Sequence, residues 1–126
     1  MIRGIGIDSV TVSEMQKIIN RISEGALQRI FSEQEMNAAG TEDIAEYLAT
    51  RFAVKEAAFK AAAHLTNNKS FDLRFVETLN LRDGCPYIKI NDRMKKLMNE
   101  TKIDYFHVSI TTEKDTVTAF VIAEGM

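Results

Sequence analysis

Two carboxylates stand out by position. Asp8 closes the apolar run Ile2-Arg3-Gly4-Ile5-Gly6-Ile7, and Glu56 is the acid in Arg51-Phe52-Ala53-Val54-Lys55-Glu56-Ala57-Ala58-Phe59-Lys60. Lys60 follows Glu56 by one helical turn, and His107 and Ser109 begin an alternating segment near the C-terminus. Two carboxylates with cations at hand form a donor set for a divalent metal ion and a phosphorylated ligand. Taken singly, each residue has a plainer use. An aspartate at a strand end serves as a turn or cap residue. Glu56 with Lys60 makes an (i, i+4) ion pair worth about 0.3–0.5 kcal/mol. His107 is a hydrogen-bonded strand residue, and Ser109 a surface hydroxyl. For any one segment alone, the plainer use is the better account.

The elements that must position these groups can be read from periodicity. Residues 2–8 alternate as a strand whose glycines permit close backbone approach. Ser13 is the expected N-cap of a helix running to Ile22, with Met15, Ile18, Ile19 and Ile22 on one face. Gly25 interrupts it, and Ala26 to Phe31 make another short helical turn. Ser32-Glu33-Gln34-Glu35 has capping-box spacing for a helix ending near Gly40. Thr41 starts a long alanine-rich helix with Ile44, Leu48, Phe52 and Phe59 at helical spacing, ending at His64 to Thr66. Phe71 to Leu81 reads as a strand with an irregularity, paired across Asp83-Gly84 with Tyr87 to Ile90. Asp92 to Glu100 is helical, and Tyr105 to Thr111 and Thr116 to Ala123 form strands joined by Thr112-Glu113-Lys114-Asp115.

This order predicts an α+β fold in which an antiparallel sheet packs with a long central helix and shorter helices. A dinucleotide-binding reading fails because Gly4-Ile5-Gly6 lies inside the strand, without the third glycine that opens a helix. No phosphate-loop motif occurs either. With 126 residues, 45% of them hydrophobic and 27% charged, the expectation is one soluble domain spanning residues 1–126. No apolar run reaches the ~20 residues that cross a bilayer, and no signal-like stretch opens the chain, so the cytoplasm is expected and a membrane partner is not. A net charge of −2 argues against nucleic acid. The lone Cys85, in the turn Asp83-Gly84-Cys85-Pro86, excludes an internal disulfide and a cysteine-based zinc site.

Read together, three segments change the weighing. Gly4-Ile5-Gly6-Ile7-Asp8, Arg51 to Ala61, and His107-Val108-Ser109-Ile110-Thr111 closely resemble the signatures of the holo-acyl-carrier-protein synthases, within the 4'-phosphopantetheinyl transferase superfamily. Arg29-Ile30-Phe31-Ser32-Glu33-Gln34-Glu35 and Gly84-Cys85-Pro86 add weaker matches in the same order. The resemblance implies transfer of the phosphopantetheine arm of coenzyme A to a serine of an apo acyl carrier protein, releasing adenosine 3',5'-bisphosphate. It implies that Asp8 and Glu56 bind Mg²⁺, that Glu56 or a water on the metal takes the serine proton, and that Lys60 stabilises phosphate charge. Arg51, Lys55, His107 and Ser109 are implied on the coenzyme side, although Lys55 points away from Glu56 on an ideal helix. It further implies a homotrimer with each site at a subunit interface.

The chain departs from the family pattern at Thr112, where relatives carry a second histidine. It does so again in the glycine-free stretch Ala62 to Asn68, and in the mixed charge of its first helix (Lys17 and Arg21, but Glu14). These departures motivate an alternative, a non-catalytic module that docks carrier proteins or coenzyme A. The retained Asp8, Glu56 and Lys60 oppose it.

Overall fold

The structure, a computed structural model, describes residues 1–40, 43–67 and 72–126. In chain order it comprises β1 (Ile2–Thr11), α1 (Val12–Arg21), α2 (Glu24–Leu27), α3 (Glu33–Ala38), α4 (Ile44–Ala62), β2 (Thr78–Asn80), β3 (Pro86–Ile88), α5 (Asp92–Thr101), β4 (Ile103–Glu113) and β5 (Thr116–Gly125). Single 3₁₀ turns follow α4 at Ala63–Leu65 and precede β2 at Leu73–Phe75. The long strands form an antiparallel sheet in the order β1-β5-β4, while β2 and β3 pair as a separate hairpin. The α+β expectation, with its antiparallel sheet and long helix, holds.

Helix α4 lies against the inner face of the sheet, across β1 and β5. Its apolar residues run all the way round rather than along one stripe, the pattern of a buried helix. Helical spacing puts Ile44, Leu48, Phe52 and Phe59 at the expected packing positions. Of these only Leu48 is fully buried, and the closest packing is made by Ala45, Ala49, Ala53, Ala57, Ala58, Ala61 and Ala62. Side chains of one carbon let the helix axis settle close to the sheet, and the larger residues fill its flanks. The sheet supplies Val117, Ala119, Val121 and Ala123 from alternate positions of β5.

Several boundaries move. The first helix is capped by Thr11, whose hydroxyl accepts from the Glu14 amide, rather than by Ser13. Ser13 is engaged elsewhere: its hydroxyl donates to Asp115 Oδ2 at 2.6 Å, and its amide donates to Oδ1 of the same residue. The turn after Gly25 begins earlier, with Ser23 capping α2. The Ser32–Glu35 capping box forms as expected. The long helix is capped by Asp43; its expected start at Thr41 lies outside the described residues. So does Phe71, the expected start of the next strand. From Asp72 onward that segment is a 3₁₀ turn followed by only three strand residues. The Asp72 carboxylate caps the turn, and the carbonyls of Leu73 and Val76 are taken by a side chain rather than by a neighbouring strand.

Candidate active site

Alternation along β1 sends Gly4, Gly6, Asp8 and Val10 toward α4, and Ile5, Ile7 and Ser9 to the outer face. Asp8 therefore leaves the strand on the side where Glu56 and Lys60 stand one turn apart on the helix. The Lys60 ammonium donates to Asp8 Oδ1 at 3.2 Å and to the Ile7 carbonyl at 3.0 Å. Asp8 is one-fifth exposed and Lys60 about half, so the group opens to solvent. Glu56 is half-buried. Its carboxyl is held above the usual carboxylate range, first by burial and next by the negative charge of Asp8, while Lys60 works in the opposite sense. A carboxylate whose ionisation is opposed by burial and by a neighbouring carboxylate is a place where a cation binds favourably.

Lys55 is elsewhere. One residue from Glu56 it is rotated by about 100° around the helix, into the protein. It is wholly buried, and its three N–H groups go to Glu35 Oε1 at 2.6 Å, Val76 O at 2.6 Å and Leu73 O at 3.1 Å. Burial lowers its pKa, and the charge and hydrogen bond of Glu35 raise it again. The expectation of a coenzyme-binding Lys55 is thus corrected, because no proton is left to offer a phosphate. Glu35 itself does more than its capping spacing announced. One oxygen accepts from the Ser32 amide and from Lys55, and the other accepts from the Thr78 amide.

Arg51, one turn before Lys55, is also turned inward. Its guanidinium donates to Thr78 O at 2.8 Å, to Asn80 Oδ1 and to Thr50 Oγ1, and lies 4.8 Å from the Tyr47 ring centroid. It edges a cavity of about 280 Å³ with Ala38, Tyr47, Leu79, Asn80 and Tyr87. Arg51 is thus buried at the wall of that cavity.

His107 and Ser109 lie on β4, which is separated from β1 by β5, and both are exposed on the outer face. The His107 Nε2 is 2.8 Å from Glu124 Oε1, and its ring is 6.2 Å from that of Tyr105. Within one chain the sheet itself stands between these residues and Asp8, Glu56 and Lys60. The outer face around them is apolar: Ile5, Ile7 and Tyr105 are each 58–63% exposed, and Phe120 is 37% exposed.

The donor set fits Mg²⁺. Among the described residues no cluster of three or more His, Cys, Asp or Glu forms. A pair of carboxylates is nonetheless what this hard cation takes when a ligand's phosphate oxygens and water complete its shell. Asp8 and Glu56 would hold it.

Comparison with known proteins gives one consistent picture. The family model described as "4'-phosphopantetheinyl transferase superfamily" matches residues 4–121. A holo-[acyl-carrier-protein] synthase of Thermodesulfovibrio yellowstonii is 36% identical, over 97% of this chain and 98% of its own. The crystal structure of the holo-[acyl-carrier-protein] synthase of Neisseria meningitidis superposes with a TM-score of 0.87 at 30% identity, covering 98% of this chain and 99% of that one. The Bacillus anthracis synthase, solved in complex with CoA (3',5'-ADP), is 29% identical with a TM-score of 0.77, covering 100% of this chain and 99% of its own. Sequence match, fold and the joined Asp8, Glu56 and Lys60 agree: the chain belongs to the 4'-phosphopantetheinyl transferase superfamily.

Proposed function

We propose that this enzyme transfers the 4'-phosphopantetheine group of coenzyme A to a serine of an apo acyl carrier protein. The observation that carries the reading is the meeting of Asp8 and Glu56 at one solvent-facing edge of β1 and α4, with Lys60 bonded to Asp8. The serine oxygen attacks the phosphorus bearing the pantetheine arm, the bond from that phosphorus to the adenosine-side phosphate oxygen breaks, and adenosine 3',5'-bisphosphate leaves. Lys60, half-exposed, can turn from Asp8 to the phosphate oxygens. Glu56, or a water at the metal, receives the serine proton. When bound at Asp8 and Glu56, Mg²⁺ neutralises charge on the transferred phosphoryl group and on the leaving bisphosphate.

The same proposal includes a homotrimer. His107 and Ser109 face away from the carboxylate pair, so they can serve a site only if a second copy brings its outer sheet face to the first copy's β1–α4 edge. The exposed apolar outer face supports that contact. A head-to-tail contact of this kind closes into a ring of three when its rotation is about 120°. No helix among the described residues is long and apolar enough to cross a membrane, and we place the enzyme in the cytoplasm, serving fatty-acid synthesis.

The test incubates the protein with coenzyme A, Mg²⁺ and a panel of apo acyl carrier proteins, and weighs the carriers by mass spectrometry. The expected result is a phosphopantetheine gain on at least one carrier, abolished by chelator and restored by Mg²⁺. A folded, coenzyme-binding protein that modifies none of them would overturn the reading in favour of a docking module.

A further inference from the structure

The inward face of β1 carries no side chain at two successive positions before Asp8. A methyl built at Gly4 would stand 1.9 Å from the Ala61 carbonyl oxygen, and one at Gly6 would stand 1.8 Å from that of Ala57. Further contacts lie at 2.8 Å or just beyond, and the closest atoms belong to helix backbone. No rotamer change relieves a clash with backbone, so any side chain here forces strand and helix apart. The strand thus lies in direct backbone contact with α4 at two points one helical turn apart.

The two points are not equivalent for the carboxylates. Gly6 is two residues from Asp8 on the same strand face, roughly 7 Å along the chain, and Gly4 is roughly 13 Å away. On the helix, Ala57 follows Glu56 directly, whereas Ala61 lies beyond Lys60. The Gly6–Ala57 contact is therefore next to both carboxylates, and the Gly4–Ala61 contact is at the far end.

We propose that Gly6 is a positioning residue for the carboxylate pair: its contact with the Ala57 carbonyl sets the distance from Asp8 to Glu56. Gly4 performs the same packing without setting that distance. The inference rests on the reading of Asp8 and Glu56 as metal ligands. Mg²⁺ makes it consequential, because this ion tolerates little departure from octahedral geometry at ~2.0–2.1 Å. A misplacement of about 1 Å costs on the order of a hundredfold in a preorganised site.

The experiment compares Gly6→Ala, Gly4→Ala and Asp8→Glu in the full-length protein. Mn²⁺ binding is followed by electron paramagnetic resonance, with and without coenzyme A, beside transfer kinetics and circular dichroism melts. Both glycine variants should melt below wild type. Gly6→Ala, where folded, should bind Mn²⁺ at least tenfold more weakly and lose kcat by about a hundredfold. Gly4→Ala at the same temperature margin should bind it as wild type does. Equal losses of metal affinity in both glycine variants would overturn the inference, as would wild-type affinity in a folded Gly6→Ala. Should Gly6→Ala not fold, Asp8→Glu decides: it advances the carboxylate by one methylene in an intact backbone, and retained wild-type Mn²⁺ affinity would show that the spacing is not set tightly. Failure of the wild-type protein itself to bind Mn²⁺ or modify any carrier would overturn the metal reading and this inference with it.

Discussion

At the scale of the residue, Glu56 works against the fold it sits in. Its carboxyl is pushed up by burial and by Asp8. A carboxyl whose folded-state pKa exceeds its unfolded value penalises the folded state once pH rises above the unfolded value, and the penalty is complete above the folded one. Glu56→Gln removes it. In the presence of chelator the variant should therefore melt above wild type at neutral pH, with the difference vanishing as pH falls toward roughly 4. The same variant should lose transfer by about a hundredfold or more. A lower melting temperature at neutral pH would contradict the electrostatic account, and undiminished turnover would remove Glu56 from the site. Lys55 behaves in the opposite way, as a structural charge. Lys55→Met strands the Glu35 carboxylate in the interior and should cost about 3–5 kcal/mol in denaturant unfolding, and adding Glu35→Gln should restore a large part of it. The sequence distinguished these adjacent residues only through helical rotation. It had no means of showing that Glu35, 20 residues away in the chain, holds the ammonium.

At the scale of the element, local chemistry was legible where the partners were local. The Ser32–Glu35 box closes within four residues, and it formed as its spacing requires. Ser32→Ala removes the acceptor for the Glu35 amide and the donor to Glu77 Oε2, and should lower stability by about 1–2 kcal/mol in chemical denaturation. No change in the affinity for coenzyme A should accompany it. The cap of α1 departs from the local pattern for a long-range reason. Thr11 and Ser13 are both competent caps, and the choice falls to Thr11 because Asp115, from the turn joining β4 and β5, claims Ser13. The shortened strand before β2 has the same kind of cause. Carbonyls of Leu73 and Val76 that would have entered a ladder are bound by Lys55, which is distant in sequence. Packing of α4 also escaped periodicity, because alanine gives little contrast between faces while deciding how near the helix can come.

At the scale of the whole molecule, the sheet's separation of His107 and Ser109 from Asp8, Glu56 and Lys60 makes a prediction that needs two variant proteins. If a site takes Glu56 from one copy and His107 from the next, Glu56→Gln and His107→Ala chains should complement each other. Co-refolded in equal amounts, half the copies carry an intact Glu56 and half an intact His107, so about a quarter of the sites regain both in a closed ring. Transfer activity well above either parent is the expected outcome; no gain on mixing would place both residues in one chain's site. Strand order was the part of the fold that sequence concealed, since nothing local says that β5 runs between β1 and β4. Without it, the resemblance sets His107 and Ser109 beside Asp8, Glu56 and Lys60, which one copy keeps on the opposite face of the sheet.

Strand β5 serves both faces at once, with Val117, Ala119, Val121 and Ala123 turned inward and Thr118, Phe120, Ile122 and Glu124 outward. A saturation mutagenesis map of this strand should consequently be striped with period two. Polar substitutions at odd-numbered positions should lower activity at every protein concentration, because they unfold the chain. If the proposed ring forms through this face, those at even-numbered positions should leave a folded chain whose lost activity returns as the protein is concentrated, by mass action on assembly. A dilution series would thus sort neighbouring residues of one strand into two classes of defect.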